Sequence, residues 1–313
     1  MDAASAALDR LRGQGAFVLR CELEAPFLVQ VEDLAVVSVV APVRGALLIR
    51  PPDLPEARVH PGEVAVIPQL TAYSVRPIDG AGDSRAVRIL PGGHCADEHG
   101  NDLSAQMWLD TRVWGTRLGG SHAFVTGSYD RADQLGGLLL ERLRAIAVAP
   151  APPQLLSLLT AELATDEPGQ AAVLDRVVDL LLAATLRAWF ADPEHEAPAG
   201  WHAQRDPMIG PVLDLMHGRP AEPWTVGALA DRVGWSRATV ARRFTELVGL
   251  PPMAYLTRWR MMLAADLLCR TTRSGAQVGR DVGYDNAFAF STAFKRQHGV
   301  APQSFRARDS RNR

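Results

Sequence analysis

The chain has 313 residues and a formal net charge of −2, with 47% hydrophobic and 22% charged residues. That length predicts two domains, each large enough to bury a core of its own. Its 3 cysteines are too few and too odd in number for a secreted disulfide framework. The amino-terminal residues do not form the apolar run of a signal peptide, and no segment is apolar enough to span a bilayer. These features predict a cytoplasmic protein with no membrane partner.

The charge is divided unevenly along the chain. Residues 1–204 carry 16 basic and 26 acidic residues, whereas residues 205–313 carry 17 basic and 9 acidic ones. A basic module joined to an acidic one is typical of a protein that binds a polyanion. Charge excess also serves solubility alone, so the division by itself leaves both interpretations open.

In chain order, residues 1–125 contain short apolar runs separated by Gly, Pro and Asp, the pattern of a small β-sandwich or barrel. Over residues 126–191 the apolar residues recur at helical spacing, and the longest run, 170–190, has a broad apolar stripe. That stripe suits either a domain core or a contact between two subunits. Residues 192–206 have the composition of a linker, and residues 207–308 are predicted to form an all-α domain.

The all-α domain contains one pattern of residues twice. Four pairs recur at an offset of 50 residues: Phe244 and Phe294, Gly249 and Gly299, Pro252 and Pro302, and Tyr255 and Phe305. Each copy predicts a short helix, a glycine turn and a second helix, which is a helix-turn-helix unit. The helix pair of copy one is expected to lock through Leu229, Val233, Trp235 and Val240. Ser236 is the expected cap of its second helix, and Asp285 or Asn286 the cap in copy two.

The second helix of such a unit presents its outer face to the major groove of DNA, where arginine binds guanine edges or phosphates. The residues predicted to contact DNA are Ser236, Arg237, Thr239, Arg242 and Arg243 in copy one, and Asn286, Ser291, Thr292, Lys295 and Arg296 in copy two. A single helix over 253–269 would hold the copies in successive major grooves about 34 Å apart. One helix pair with a glycine turn is common packing, but two copies in a basic domain predict binding to double-stranded DNA.

Residues 206–306 resemble the DNA-binding domain of AraC/XylS-type transcription regulators. Segments that carry the resemblance are Trp224-Thr-Val, Gly234-Trp-Ser-Arg, Pro252-Met-Ala-Tyr-Leu, Val282-Gly-Tyr and Ala293-Phe-Lys-Arg. The resemblance implies promoter binding and, usually, activation through contact with RNA polymerase. Copy two departs from the family at Thr292, where Arg or a long polar side chain is common, and near Ala287 and Phe288. We therefore expect copy two to contact phosphates and DNA shape more than base edges.

Residues 60–68, followed by Ala72-Tyr-Ser-Val, resemble the second motif of cupin domains. The resemblance implies a multidomain α and β protein whose amino-terminal sensor is a cupin-like β-barrel followed by a helical linker region. The metal ligand of the motif, usually His, falls at Tyr73, and residues 33–49 contain no His-x-His. This pattern argues against catalysis, and a metal-dependent cupin enzyme with an accessory DNA-binding domain is kept as the alternative function.

Three kinds of signal remain open for the sensor. His94, Cys95 and His99, completed by His60 or Cys21, form a candidate site for zinc or another divalent transition metal. The same loop also suits a plain polar surface. Cys21 and Cys95 form a candidate redox switch if a neighbouring histidine lowers a thiol pKa, whereas most cysteines are simply buried. An organic ligand inside the barrel is the third alternative.

Together these features predict a one-component transcription regulator. Residues 1–125 would receive a small-molecule, metal or oxidant signal, and the helical segment 126–191 would relay it and is a candidate homodimer contact. Residues 207–308 would bind promoter DNA and present the complex to RNA polymerase.

Overall fold

The computed structural model describes residues 17–311, apart from 34, 69–71, 80–85, 111, 130–139, 141–142, 144, 166, 196 and 198–200. Most of the predicted helical stretch from residue 130 to 144 therefore lies outside the described residues. The described part of the chain divides into two compact units, one ending at residue 195 and the other beginning at residue 197.

The first unit is built from strands. They are β1 (Phe17–Leu23), β2 (Leu28–Val31), β3 (Val37–Arg44), β4 (Leu47–Arg50), β5 (Ala57–Val59), β6 (Glu63–Pro68), β7 (Tyr73–Pro77), β8 (Ala86–Ile89), β9 (Cys95–Ala96), β10 (Trp108–Asp110), β11 (Val113–Gly115), β12 (His122–Tyr129) and β13 (Ala147–Pro150). One sheet has the order β10-β11-β1-β12-β3-β6-β13, and the other has the order β5-β4-β7-β2-β8-β9. The predicted cupin-like β-rich domain is confirmed, but its described strands form two open sheets and do not close into one barrel.

An apolar core lies between the two sheets. Leu19, Cys21 and Phe124 from the first sheet share it with Val29 and Val75 from the second. In β7 buried and partly exposed side chains alternate, as a strand with one face on a core requires. The two sheets therefore enclose the interior of this unit between them.

Among the described residues, three helices accompany the sheets: α1 (Ser104–Met107), α2 (Pro153–Glu162) and α3 (Gln170–Trp189). The apolar stripe of α3 packs on the first sheet, where a Cβ on Gly127 would lie 2.7 Å from Cγ1 of Val178. Tyr129 donates a hydrogen bond of 2.9 Å to the buried carboxylate of Asp179 on the same helix. The stripe thus serves the core of its own unit, while Leu180 lies exposed on the opposite face.

The second unit contains helices and no strand among its described residues. After a 3-10 turn at His202–Arg205 come α4 (Ile209–Gly218), α5 (Val226–Val233), α6 (Arg237–Val248), α7 (Pro252–Arg270), α8 (Gly275–Asp281), α9 (Ala287–His298) and α10 (Pro302–Arg311). The long helix α7 contributes Leu256 to one apolar core and Met261 to a second one. None of the described helices is long and apolar enough to cross a membrane.

Candidate nucleic-acid interface

Helices α5 and α6 form the first helix-turn-helix. Helix α5 ends at Gly234, whose φ of 72° lies in the left-handed region that side chains with a Cβ avoid. Ser236 then caps α6, because its hydroxyl accepts a 3.1 Å hydrogen bond from the amide of Thr239. Leu229 and Val240 are fully buried between the two helices, as expected. Trp235 was predicted to help lock them, but its side chain is 52% exposed, so its contribution to the core is limited.

Helices α8 and α9 form the second helix-turn-helix. Ser274 and Gln277 make a reciprocal capping box at the start of α8. The turn after α8 contains Gly283 with a φ of 87°. Of the two candidate caps, Asn286 begins α9, since its side-chain oxygen accepts hydrogen bonds of 2.8 Å from the amide of Phe288 and 3.3 Å from that of Ala289. In both helix-turn-helix copies, hydrogen bonds to a capping side chain therefore hold the first turn of the second helix.

The outward face of α9 follows from helical geometry. Phe290 and Phe294 are buried against the rest of the unit. At about 100° per residue, Phe288, Thr292 and Lys295 lie on the opposite side of the helix, and all three are exposed. Phe288 was missing from the predicted contact set because the sequence pattern emphasised polar side chains.

The 50-residue offset transfers this face to α6. Its equivalent positions carry Ala238, Arg242 and Thr245, and all three are exposed. Arg242 forms an ion pair of 2.7 Å with Glu246 one turn further along, an arrangement that leaves the guanidinium at the surface. The two helices thus present corresponding stripes of different chemistry, basic and polar in α6 and partly apolar in α9.

The other residues predicted to contact DNA occupy varied positions. Arg237 in α6, and Arg296 in α9, are exposed. Thr239 and Ser236 are joined by a 2.8 Å hydrogen bond between their hydroxyl groups, so both belong to the cap. Ser291 is half-buried on the flank of α9.

Arg243, also predicted to contact DNA, forms an ion pair with Asp206. Its Nε and Nη2 atoms donate hydrogen bonds of 3.2 and 2.8 Å to Oδ2 of Asp206. The other carboxylate oxygen of Asp206 accepts hydrogen bonds of 3.0 Å from the amides of Met208 and Ile209 at the start of α4. The equivalent position in copy two is the buried Ala293. We therefore expect Arg243 to serve mainly the ion pair with Asp206, while 43% of its side chain stays exposed.

Arg260 ties the two helix-turn-helix copies together. Its Nε and Nη2 atoms donate hydrogen bonds of 2.7 and 2.6 Å to the carbonyl oxygens of Pro220 and Glu222, ahead of copy one. The same guanidinium lies 5.9 Å from the ring centroid of Tyr284 in copy two. Gly283 also lies close to the segment ahead of copy one, because a Cβ there would lie 2.7 Å from the carbonyl oxygen of Ala221. These contacts fix copy two against the segment that precedes copy one.

The sheet unit contains a cavity of about 280 Å³ between its two sheets. It is lined by Leu19, Cys21, Val29, Val31, Asp33, Val40, Tyr73, Val75, Ile89, Gly92, Gly93, Trp114, Phe124, Thr126 and Ser128. Most of this lining is apolar. The hydroxyl of Ser128 donates a 3.2 Å hydrogen bond to Oδ2 of Asp33, and burial raises the pKa of Tyr73, which stays a neutral phenol. The cavity therefore combines an apolar wall with one polar corner.

The two thiols of the predicted redox pair are both buried in this core. Burial raises the pKa of Cys21, and the neighbouring Cys95 raises it further. Burial also raises the pKa of Cys95, even though Trp114 Nε1 donates a hydrogen bond of 3.1 Å to its sulfur. The redox prediction assumed a lowered pKa, whereas burial raises the pKa of both thiols.

The predicted metal ligands are not brought together. Among the described residues no group of three or more His, Cys, Asp or Glu side chains is arranged to hold a metal ion. Cys95 lies in the core, whereas His99 is exposed with its Nε2 atom 3.6 Å from Glu98. His60 and His94 also belong to no such group among the described residues.

Known family models match both the sheet unit and the helical unit. A cupin family model matches residues 2–191, and a helix-turn-helix domain model matches residues 229–308. Since the first match covers more than half of the chain, the protein belongs to the cupin family, and its helical unit is a helix-turn-helix domain.

Similar proteins are named as transcription regulators. The putative AraC-like transcription regulator of Streptomyces lividans is 35% identical over 197 residues, which make up 60% of this chain and 62% of that protein. The regulator AlkR of Acinetobacter baylyi is 34% identical over 141 residues, or 45% of each chain. The chain thus spans less than two thirds of the length of these relatives. Their names confirm the AraC-type resemblance, and they give no support to the enzyme alternative.

One similar solved structure is the DNA-binding domain of AdpA in complex with a target DNA. It is 31% identical, covers 34% of this chain and 96% of its own, and superposes with a TM-score of 0.33.

Proposed function

We propose that this protein is an AraC-type transcription regulator that binds double-stranded promoter DNA through both helix-turn-helix units. The observation that carries the proposal is the pair of exposed stripes on α6 and α9, at equivalent positions of one repeat. Arg242 on one stripe and Lys295 on the other supply cations for guanine edges or phosphates. Regulation of transcription and contact with RNA polymerase are part of the proposal, as the resemblance to AraC-type regulators implies.

The test begins with selection of bound sequences from random duplex DNA by the full-length protein. Arg242→Ala should then weaken binding to the selected site by about 1–3 kcal/mol. Its matched control is Arg280→Ala, since Arg280 lies exposed in α8 rather than on a second helix. An unchanged affinity for Arg242→Ala would remove this residue from the interface, and failure to select any sequence would overturn the function.

We propose that a small organic molecule in the sheet cavity is the signal. An apolar cavity of about 150 Å³ is large enough for benzene, so a space of about 280 Å³ accepts a larger ring system. Its polar corner at Asp33 and Ser128 favours a ligand with one hydrogen-bonding group. Binding changes DNA affinity only if the ligand favours one state of the protein, which is the requirement of linkage.

The cavity proposal is tested with indole as a neutral probe. Indole should raise the melting temperature of the wild-type protein and should leave that of Val40→Phe unchanged, because the larger side chain fills the space. Phe124→Leu is the control, since it enlarges the same cavity. Equal responses of the wild type and Val40→Phe would contradict binding at this place.

Oxidation is the second proposal for the signal, because Cys21 and Cys95 belong to the same buried cluster. A disulfide would form as the two thiols give two electrons and two protons to a peroxide, which becomes water and an alcohol or a second water. Titration of DNA binding with peroxide would decide it. The wild type should respond and Cys21→Ser and Cys95→Ser should not, whereas identical curves for all three would end this proposal.

The domain boundaries and the homodimer also remain proposals. The proposed bounds are a sensor over 1–125, a relay over 126–191, a linker over 192–206 and a DNA-binding domain over 207–308. Strand β12 runs across the first of these boundaries, and β13 within the relay pairs with β6 of the first sheet. Leu180 and Val173 on the outer face of α3 are exposed and are candidates for a subunit contact. Light scattering of Leu180→Asp against the wild type tests this contact.

A further inference from the structure

Phe288 is the most exposed large apolar residue among those described, with 80% of its surface accessible. It lies in the first turn of α9, at the amino-terminal end of the second helix of copy two. In a helix-turn-helix the residues at this end of the second helix contact base edges. We propose that Phe288 recognises the C5-methyl group of a thymine in the major groove. This inference rests on the DNA-binding function proposed above and adds a base-specific contact to it.

The position of Phe288 is fixed by its backbone. Asn286 accepts a 2.8 Å hydrogen bond from the amide of Phe288, so the first turn of α9 is held in place. Phe288 points away from the buried Phe290 and Phe294, on the same outward stripe as Thr292 and Lys295. Because the backbone is already ordered, the ring meets its partner with little further loss of conformational freedom.

The residues around Phe288 favour DNA over a protein partner. Ala287 and Ala289 are small, so the ring projects beyond its neighbours on the helix. Lys295 and Arg296, further along the same helix, are exposed cations that suit the phosphates flanking a groove. The apolar ring of Phe288 beside these cations complements a thymine methyl group that lies between phosphates. An apolar protein surface would supply no negative charge for the cations.

Thymine is the base that an apolar side chain such as Phe288 can distinguish from the other three. In the major groove it alone among the four bases carries a methyl group, and apolar side chains recognise it by direct contact. Copy one has Ala238 at the equivalent position, so the two copies read their half-sites with different chemistry. This inference adds one base-specific contact to the phosphate and shape contacts that we expect from copy two.

Replacement of thymine by uracil tests this inference, because it removes the methyl group and nothing else. On a selected site, each thymine is replaced in turn and the affinity of the full-length protein is measured by fluorescence anisotropy. At one position in the half-site of copy two, uracil should weaken wild-type binding about fourfold, the value of one buried methyl group. Phe288→Ala should bind the thymine and uracil sites equally, and Phe288→Leu should retain part of the difference.

The matched control is Thr292→Ala on the same stripe, which should keep the thymine preference while binding more weakly. Because Phe288 is exposed, its variants should melt at the wild-type temperature, so a lost preference reports the contact and not the fold. A thymine preference that persists in Phe288→Ala would overturn the inference while leaving DNA binding intact. A change of oligomeric state in Phe288→Ala with an unchanged preference would assign the ring to a protein interface instead. Absence of any selected site would overturn the DNA-binding function, and this inference with it.

Discussion

Two adjacent arginines of α6 are expected to have opposite roles, and replacing each by alanine separates them. The side chain of Arg243 is 43% exposed and is bonded through two nitrogens to Asp206, whose side chain is only 10% exposed. Arg242 is 68% exposed and pairs with Glu246 at 44% exposure. We expect Arg243→Ala to destabilise the helical unit and Arg242→Ala to weaken DNA binding.

The magnitude follows from these contacts. Hydrogen bonds to a charged group contribute about 1.5–3 kcal/mol when buried, and exposed pairs contribute about 0–1 kcal/mol. Since one partner is nearly buried and the other is partly solvated, we expect Arg243→Ala to cost about 1–2 kcal/mol. An exposed pair one helical turn apart contributes about 0.3–0.5 kcal/mol, which is the expected cost of Arg242→Ala.

Thermal unfolding followed by circular dichroism measures the difference. In a unit of this size about 1 kcal/mol shifts the melting temperature by about 4–8 °C, so Arg243→Ala should melt visibly lower and Arg242→Ala should barely change. Anisotropy titrations on the selected site, at a temperature where all proteins are folded, give the affinities. If Arg243→Ala melts like the wild type and loses DNA affinity, Arg243 contacts DNA and does not stabilise the fold.

The same contact predicts a dependence on pH. Burial alone would raise the pKa of Asp206, but hydrogen bonds from the Ile209 amide and from Arg243 outweigh it and hold the pKa below its ordinary value. A carboxyl group whose pKa is lowered by folding stabilises the fold fully above its unfolded pKa, about 3.9 for aspartate, and loses that effect as the pH falls through the folded value. Asp206→Asn should therefore be less stable than the wild type at neutral pH, and this difference should shrink in acid.

Three further outcomes are expected. Gly283→Ala should lower the free energy of unfolding by more than Gly299→Ala, measured in urea, because both have positive φ but only Gly283 lies against a neighbouring backbone. Equal losses would contradict the close approach. Tyr129→Phe should cost about 1–3 kcal/mol in the same assay, since it removes a hydrogen bond from the buried Asp179, and an unchanged midpoint would argue against that bond. Native Cys21 should react with iodoacetamide far more slowly than in urea, because burial raises its pKa; equal rates would place the thiol at the surface.

The repeat made the helical unit predictable. Its glycines and caps are local features, so Gly234 and Ser236 could be assigned from neighbouring residues alone, and the cap of α9 was narrowed to Asp285 or Asn286. Arg243 could not, because its partner Asp206 lies 37 residues earlier in the chain. The repeat nevertheless contained a signal, since the equivalent residue in copy two is an alanine.

The sensor was harder to predict because its chemistry depends on contacts between distant strands. Cys21 lies in β1 and Cys95 in β9, and the sequence around each does not reveal that both face one core. The polar loop near His99 suggested metal ligands, yet only folding shows that Cys95 points inward while His99 stays outside. The cavity is formed by residues from both sheets, and no single motif indicates it.

We propose that the two helix-turn-helix units, held by Arg260, meet one face of a duplex. Hydroxyl-radical footprinting of the full-length protein on a selected site tests this arrangement. We predict two protected segments about 10–10.5 base pairs apart, and loss of high-affinity binding when about 5 base pairs are inserted between them. A single protected segment, or full affinity after that half-turn insertion, would show that the two units do not bind one face of the duplex together.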